Sequence, residues 1–336
     1  MKTVTINDIA KEAGVSKATV SRVLNRPSSV EEGTRKKVMA IIAKRRYTPS
    51  ASARNLSRQT SSTVGVIVPE IDNPFFGEAL RGITSVLDKH HLTMICFNTD
   101  DLVEKDRKSI QMLKEHRVVG LLYDPAIDYD TSDQKKEINH LIQELEGPVV
   151  IMDRNVDSLC EYDGVFFDDR RGVCEATQAL IHAGHRRIGI INATLERVLA
   201  RIRLAGYKDA LEANHIPFEE KYCYLGDYSK ACAYELASRM LESDERPTAV
   251  VTCNNCTSIG FLKALYDHGF TLSDVACIGM DRIEALDIVK SDFNYVKRDA
   301  NLLGKTSAEL LIHRIAFPND EMRTVYLPHE IVIRKL

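Results

Sequence analysis

From Thr63 onward, short apolar runs return at intervals: "TVGVIVP", "LTMICFN", "VVGLLYD" and "PVVIMD", then "YDGVFFDD", "RRIGIINA", "TAVVTCN" and "VACIGMD". Longer amphipathic segments separate them, among them Phe76 to His90, Gly172 to Ala183, Arg203 to Asn214 and Cys232 to Leu241. A short run that is apolar throughout is a strand covered on both faces, and a helix between successive strands makes them parallel. The chain is therefore α/β, built as two similar halves, each a parallel sheet flanked by helices. Hydrophobic residues make up 44% of the 336, enough for sizeable cores in two or three structural units.

Ligands of such sheets sit beyond the carboxyl ends of the strands, so the residues that follow each run carry the interest. Asp72, Asn73, Pro74, Phe75 and Phe76 follow the first run, and Asp153 and Arg154 the fourth. Asn254 and Asn255 follow the seventh, and Asp281 and Arg282 the eighth. Arg203 is expected to open a helix after the "INATLERVLA" loop and to aim its fork into the same space. Taken singly, each of these is a helix cap or a surface ion pair. Their shared placement makes a polar cleft the better reading.

The first sixty residues obey a different pattern. In "DIAKEAGVSKATVSRVLN", Ile6, Ile9, Ala10 and Ala13 stand at helical spacing, Thr5 and Asp8 form a capping box, and Gly14 supplies a left-handed stop. Ser16 caps a second helix whose buried stripe is Val20, Val23 and Leu24, leaving Lys17, Ala18, Ser21 and Arg22 to project. Ser29 and Glu32 suggest the cap of a third helix, with Val38, Ile41 and Ile42 inside and its end near Tyr47. Two short helices joined this tightly present the amino end of the second to a DNA major groove. The charge agrees: residues 1 to 60 hold thirteen Lys or Arg against four Asp or Glu, while the whole chain is at -3, so the remainder is strongly acidic. A basic head on an acidic body is the electrostatic footprint of one nucleic-acid-binding module. Pro49 then breaks the pattern, and Ser50 to Ser57 has composition for about two helical turns that need outside support.

Other classes fit less well. No G-x-G-x-x-G follows the first strand, and the "GKT" at Gly304 has Asp299 where a P-loop needs glycine, so neither nucleotide motif is present and no cofactor is expected. Cys253 and Cys256 form a C-x-x-C, but no second ligand pair follows at zinc spacing, and the eight cysteines read as reduced core thiols. No export signal or run of roughly 18 apolar residues occurs, so no membrane role is expected and a cytoplasmic protein is.

With "TINDIAKEAGVSKATVSRVLN", "YTPSASARNL", "VGVIVPEIDNPFF", "HAGHRRIGII", "RLAGYKDAL", "PTAVVTCNN" and "CIGMDRI" in view, the chain resembles the lactose-repressor (LacI/GalR) family of bacterial transcription regulators over essentially its full length. The resemblance implies an all-α helix-turn-helix headpiece at 1–48, a hinge helix or linker at 49–62 and an effector-binding, dimerising core at 63–336. That core would have two Rossmann-like subdomains of periplasmic-binding-protein type, one at about 63–161 and 293–322, the other at about 162–292 and 323–336. It places base reading at Lys17, Ala18 and Arg22, with Leu56 as a minor-groove wedge, and backbone contacts at Thr5, Ser16, Thr19, Ser21, Asn25, Tyr47 and Arg54. Effector contacts fall at Asp72, Phe75, Phe76, Asp153, Arg203, Asn254 and Asp281, with Asp168 and neighbouring loop residues further candidates.

The implied partners are a double-stranded palindromic DNA operator, a second copy of the chain in a homodimer, and a small polar effector of sugar type. The implied protein is a repressor and not an enzyme. The alternatives are a protein co-regulator in place of the small molecule, as in catabolite-control members, and a ligand-binding protein without a DNA role. Asn255 stands where many relatives carry aspartate, which weakens the sugar expectation.

Overall fold

The computed structural model describes residues 4–25, 27–45, 47, 62–126 and 132–336, and the chain divides into a unit at 1–61 and one at 62–336. The expected hinge at 49–62, with Arg54 and Leu56, lies outside the described residues up to Ser61.

The small unit is three helices, α1 (Ile6–Ala13), α2 (Lys17–Asn25) and α3 (Glu32–Arg45). Thr5 and Asp8 close the expected capping box, and the Asp8 carboxylate accepts from the Thr5 N–H at 2.8 Å. Gly14 takes φ 67°, a conformation costly for any residue with a Cβ, and so stops α1. The Ser16 hydroxyl accepts from the Thr19 N–H at 3.1 Å and starts α2. Ile9, Ala13, Val20, Val23 and Val38 form the core beneath. Ser29 does not cap α3: it closes a 3-10 turn at Pro27–Ser29, and the Glu31 carbonyl accepts the first helical bond, from the Arg35 N–H at 2.9 Å. Glu12 on α1 accepts from Arg45 at 2.7 Å and Lys44 at 3.4 Å, and the Arg45 hydrogen bond holds its carboxyl below the ordinary range.

The large unit contains two six-stranded sheets. The first holds β1 (Thr63–Val68), β2 (Thr93–Asn98), β3 (Gly120–Tyr123), β4 (Val149–Asp153), β5 (Asp163–Phe167) and β11 (Thr324–Leu327), all parallel, in the order β11-β5-β4-β3-β1-β2. The second holds β6 (Ile188–Ala193), β7 (Cys223–Gly226), β8 (Ala249–Thr252), β9 (Ala276–Met280), β10 (Asn294–Arg298) and β12 (His329–Val332) in the order β12-β10-β9-β8-β6-β7. Only β12 runs antiparallel, against β10, a departure from the all-parallel expectation.

Period-two alternation sends Val64, Val66 and Val68 of β1 to one face and Ile67 to the other. The first face packs on α4 (Pro74–Leu87) and α12 (Ala300–Ala316), the second on α5 (Val103–Glu115) and α6 (Ser132–Gln143). In the second sheet α7 (Asp169–His182) and α8 (Val198–Ala213) cover one face, and α9 (Lys230–Leu241) and α10 (Asn255–Asp267) the other. A last short helix, α11 (Glu284–Ile288), follows β9. Helices α4 and α12 approach so closely that a Cβ added at Gly304 would lie 1.9 Å from the Ala79 carbonyl oxygen, so only glycine fits there.

The chain crosses between the sheets three times, after β5, after β10 and between β11 and β12. Each crossing falls one strand later than the expected boundaries at 161/162, 292/293 and 322/323. An apolar strand does not name the sheet it joins; pairing with distant strands decides that, and β5, β10 and β11 each pair into the sheet that the chain is about to leave.

Candidate functional site

In the headpiece, Lys17, Ala18 and Arg22 lie on one exposed face of α2, opposite buried Val20 and Val23. Ala18 and Arg22 are one turn apart and stack on that face. Thr5, Ser16 and Thr19 border it with their hydroxyls engaged in caps: Thr5 donates to Asp8 at 2.7 Å, and the Ser16 and Thr19 hydroxyls pair at 2.9 Å. Ser21 is half-buried on α2, and Tyr47 is half-buried against the headpiece core, its N–H donating to the Ile42 carbonyl at 3.0 Å. Asn25 ends α2, and its side chain lies outside the described residues.

In the large unit, the strand order reverses at β1 in one sheet and β6 in the other, so the crevice forms at those carboxyl ends. Phe75, Phe76, Asp153, Arg203, Asn254 and Asp281 all line it, together with Glu70, Asn73, Asp101, Arg154, Tyr228 and Arg298. Asp72 does not. Its side chain is 80% exposed and lies 3.9 Å from the Lys230 ammonium. The next residue explains why: Asn73 accepts from the Phe75 N–H at 3.1 Å and caps α4, which turns the chain and leaves Asp72 outside. Asp168 is exposed as well, because it caps α7 by accepting from the Arg171 N–H at 3.0 Å. The inward carboxylate is its neighbour Asp169.

Arg203 does not open its helix; α8 begins at Val198, and Arg203 sits in the second turn with 2% exposure. Its guanidinium donates to Asp169 at 3.0 and 2.8 Å and to the Cys253 carbonyl at 2.5 Å. Burial alone would raise Asp169, but Arg203 and Arg298 outweigh it and hold the carboxyl below the ordinary range. Asn254 is a cap as well as a cleft residue: it accepts from the Thr257 N–H at 2.7 Å and donates to the Tyr228 carbonyl at 3.3 Å. The adjacent Asn255 is buried, and its side-chain oxygen has no hydrogen-bond partner among the described residues.

Asp153 and Asp281 hold corresponding places, at the end of β4 and just after β9, and both take left-handed backbone, φ 57° and 72°. Around Asp153 the Arg154 N–H donates to the Met152 carbonyl at 2.6 Å, a three-residue turn. Aspartate tolerates this region better than most residues, at a cost still of order 1 kcal/mol or more, and strain of this kind gathers at ligand sites. Burial raises the Asp153 carboxyl from its usual range against the pull of Arg298. Asp101, after β2, is bridged by Arg154 at 2.6 Å and by Arg197; these cations overcome burial and keep it low. Behind Arg154, burial drives Asp124 well up, toward its neutral acid form.

Arg298, Glu70, Asp101 and Tyr228 carry no sequence signal as site residues, and Asp169 is reached only as a neighbour of Asp168. Arg298 closes "NYVKR", a strand with a lysine beside it that carries no continuous apolar signal. The thiols of Cys253 and Cys256 are pushed up by burial to about 12 and about 11, which makes both poor nucleophiles. No described helix is long and apolar enough to cross a membrane.

Two α/β lobes facing across a polar cleft, in one chain with a basic three-helix head, define a ligand-binding DNA regulator. Residues 61–335 match the family model for periplasmic binding proteins and the sugar-binding domain of the LacI family, and residues 5–50 that for bacterial regulatory proteins of the lacI family. The HTH-type transcriptional repressor PurR of Vibrio atlanticus (strain LGP32) is 33% identical over 331 residues, covering 98% of this chain and 97% of the relative. Catabolite control protein A of Priestia megaterium is 30% identical over 335 residues, 99% and 98% of the two chains. Among solved structures, the Lac repressor dimer bound to operator and the anti-inducer ONPF superposes with a TM-score of 0.83 at 27% identity, covering 99% of both chains. A LacI family regulator from Enterococcus faecium with bound ribose gives 0.71 at 29% identity, over 81% of this chain and 97% of that one. The chain belongs to the LacI family of bacterial regulatory proteins. It is a transcriptional regulator with a LacI-type DNA-binding headpiece and a periplasmic-binding-type core, and its PurR relative is a transcriptional repressor.

Proposed function

We propose that the protein represses transcription by binding a palindromic operator as a homodimer, and that a small polar effector in the core cleft sets its affinity for DNA. The observation that carries this reading is the exposed α2 face of Lys17, Ala18 and Arg22, held by a headpiece core that consumes none of the three. Arg22 is assigned to bidentate readout of a guanine, and Lys17 and Ala18 to neighbouring base edges. Thr5, Ser16, Thr19, Ser21, Asn25, Tyr47 and Arg54 are assigned to the phosphate backbone, and Leu56 to a minor-groove wedge. In the cleft, Phe75, Phe76, Asp153, Arg203, Asn254 and Asp281 are the proposed effector set, without Asp72.

The test is a gel shift at fixed salt, with the promoter region against random duplex of equal length. Specific binding roughly 10³-fold or more tighter than non-specific supports the reading, and equal binding ends it. Calorimetry of the full chain with sugars, nucleobases and phosphocarrier proteins then separates a small-molecule effector from a protein co-regulator.

A further inference from the structure

Arg298 closes β10 immediately before the second crossing, and its 7%-exposed side chain reaches into the middle of the cleft. Its guanidinium forks onto Asp281, 2.8 Å to each carboxylate oxygen, and donates to Asp153 at 3.1 Å and Asp169 at 3.3 Å. Its Cζ lies 4.5 Å from the Phe75 ring centroid and 5.4 Å from that of Phe167. Asp153, Phe75 and Phe167 belong to the first sheet and its helices, Asp281 and Asp169 to the second. One cation therefore ties both halves together.

Recognition of a neutral polar ligand by these carboxylates requires that their oxygens accept its hydroxyls. Both oxygens of Asp281 and the inward oxygen of Asp153 already accept from Arg298. The open space beside them is ≈ 30 Å³, and ≈ 20 Å³ in the adjoining chamber lined by Val156, Val198 and Ile202. One water needs roughly 10–15 Å³ on this measure, so the cleft as built admits a few waters and not a sugar ring.

We infer that Arg298 is a resident ligand: the carboxylate and aromatic cage of Asp153, Asp169, Asp281, Phe75 and Phe167 is a guanidinium site that the chain fills with its own side chain. This rests on the cleft being the effector site, and it sets the specificity of that site. A ligand reaches Asp153 and Asp281 only by replacing a planar, multiply donating cation. With Arg298 in place the remaining space is too small for a neutral polyol, and with Arg298 removed the cage admits a guanidinium or amidinium cation.

The experiment titrates methylguanidinium and, separately, D-ribose into the full-length protein and its Arg298→Ala variant by calorimetry, with thermal midpoints recorded in parallel. The emptied cage should bind methylguanidinium at least about tenfold more tightly than the wild type does, a difference of about 1.4 kcal/mol, and the variant's lowered midpoint should climb back as the cation is added. Equal binding by the two proteins, or none by a folded variant, overturns the inference. Should Asp153 and Asp281, left without Arg298, keep the variant from folding, the wild-type ribose titration still decides. No binding is expected; ribose binding that Asp281→Asn abolishes overturns the inference. Neither titration involves DNA, so failure of operator binding and failure of this inference are read separately.

Discussion

The headpiece and the cleft hold their functional side chains under opposite conditions. On α2, Lys17 and Arg22 extend into solvent from a helix whose caps, stop and buried stripe all come from residues close in sequence. In the cleft, Arg203 and Arg298 are almost wholly buried and meet partners 17 to 145 residues away. An exposed arginine contributes little to its own unit and is free to bind something else. A buried one is bound to the rest of the fold, and removing it leaves carboxylates without a counter-charge. Surface readout residues therefore separate from stability, and cleft residues do not.

Arg203→Ala tests that coupling most severely. It removes two of the hydrogen bonds on buried Asp169 and leaves Arg298, at 3.3 Å, as its remaining arginine, so the large unit should lose up to about 3–5 kcal/mol in denaturant unfolding, the range for breaking a buried pair. A loss below about 1 kcal/mol would mean that Arg298 alone is enough to compensate Asp169. Arg22→Ala should weaken operator discrimination by about 1–3 kcal/mol in gel shifts at fixed salt and leave the thermal midpoint of the large unit where it was. A shift in that midpoint would erase the contrast. Ser16→Ala sits between the two cases, because it removes a cap beneath the readout face. Amides of α2 should exchange with solvent faster by the equivalent of about 1 kcal/mol, with the large unit unmoved.

The smallest effect concerns pH, because the cleft carboxylates oppose one another. Asp101 and Asp169, held low by their arginines, add stability above the unfolded aspartate value of about 3.9, and that stability is lost as pH falls through their folded values. Asp153, Asp124 and Glu70, all raised chiefly by burial, add stability fully present below the unfolded values and lost as pH rises through their folded ones. The cleft's contribution should therefore pass through a shallow maximum near the ordinary carboxylate range. Thermal unfolding against pH checks this, and Asp153→Asn should flatten the alkaline side of the maximum. An unchanged alkaline limb would assign it to Asp124 and Glu70.

Much of this architecture could be read in advance. The helix starts at Thr5 and Ser16, the stop at Gly14 and the exposed α2 face follow from capping chemistry and a 3.6-residue period, both local to a few turns. The apolar runs announced strands, and their exits pointed to Phe75, Asp153, Asn254 and Asp281, because the carboxyl edge of a parallel sheet is a property of any such fold. The misses share one cause. Asp72 and Asp168 face solvent because a cap, at Asn73 in one case and at Asp168 itself in the other, decides which side chain faces inward. Arg298 went unseen because β10 and β12 are strands only by virtue of their neighbours.

By itself, then, the sequence determined the class of each half, the caps and stops of the headpiece, and the strand exits where a ligand site forms. All of these arise from interactions spanning a few residues. Only the tertiary structure decided which sheet β5, β10 and β11 join, which of two adjacent carboxylates points inward, and that Arg298 stands between Asp153 and Asp281. Those outcomes depend on pairing and charge compensation between segments up to 145 residues apart, and no local pattern encodes them.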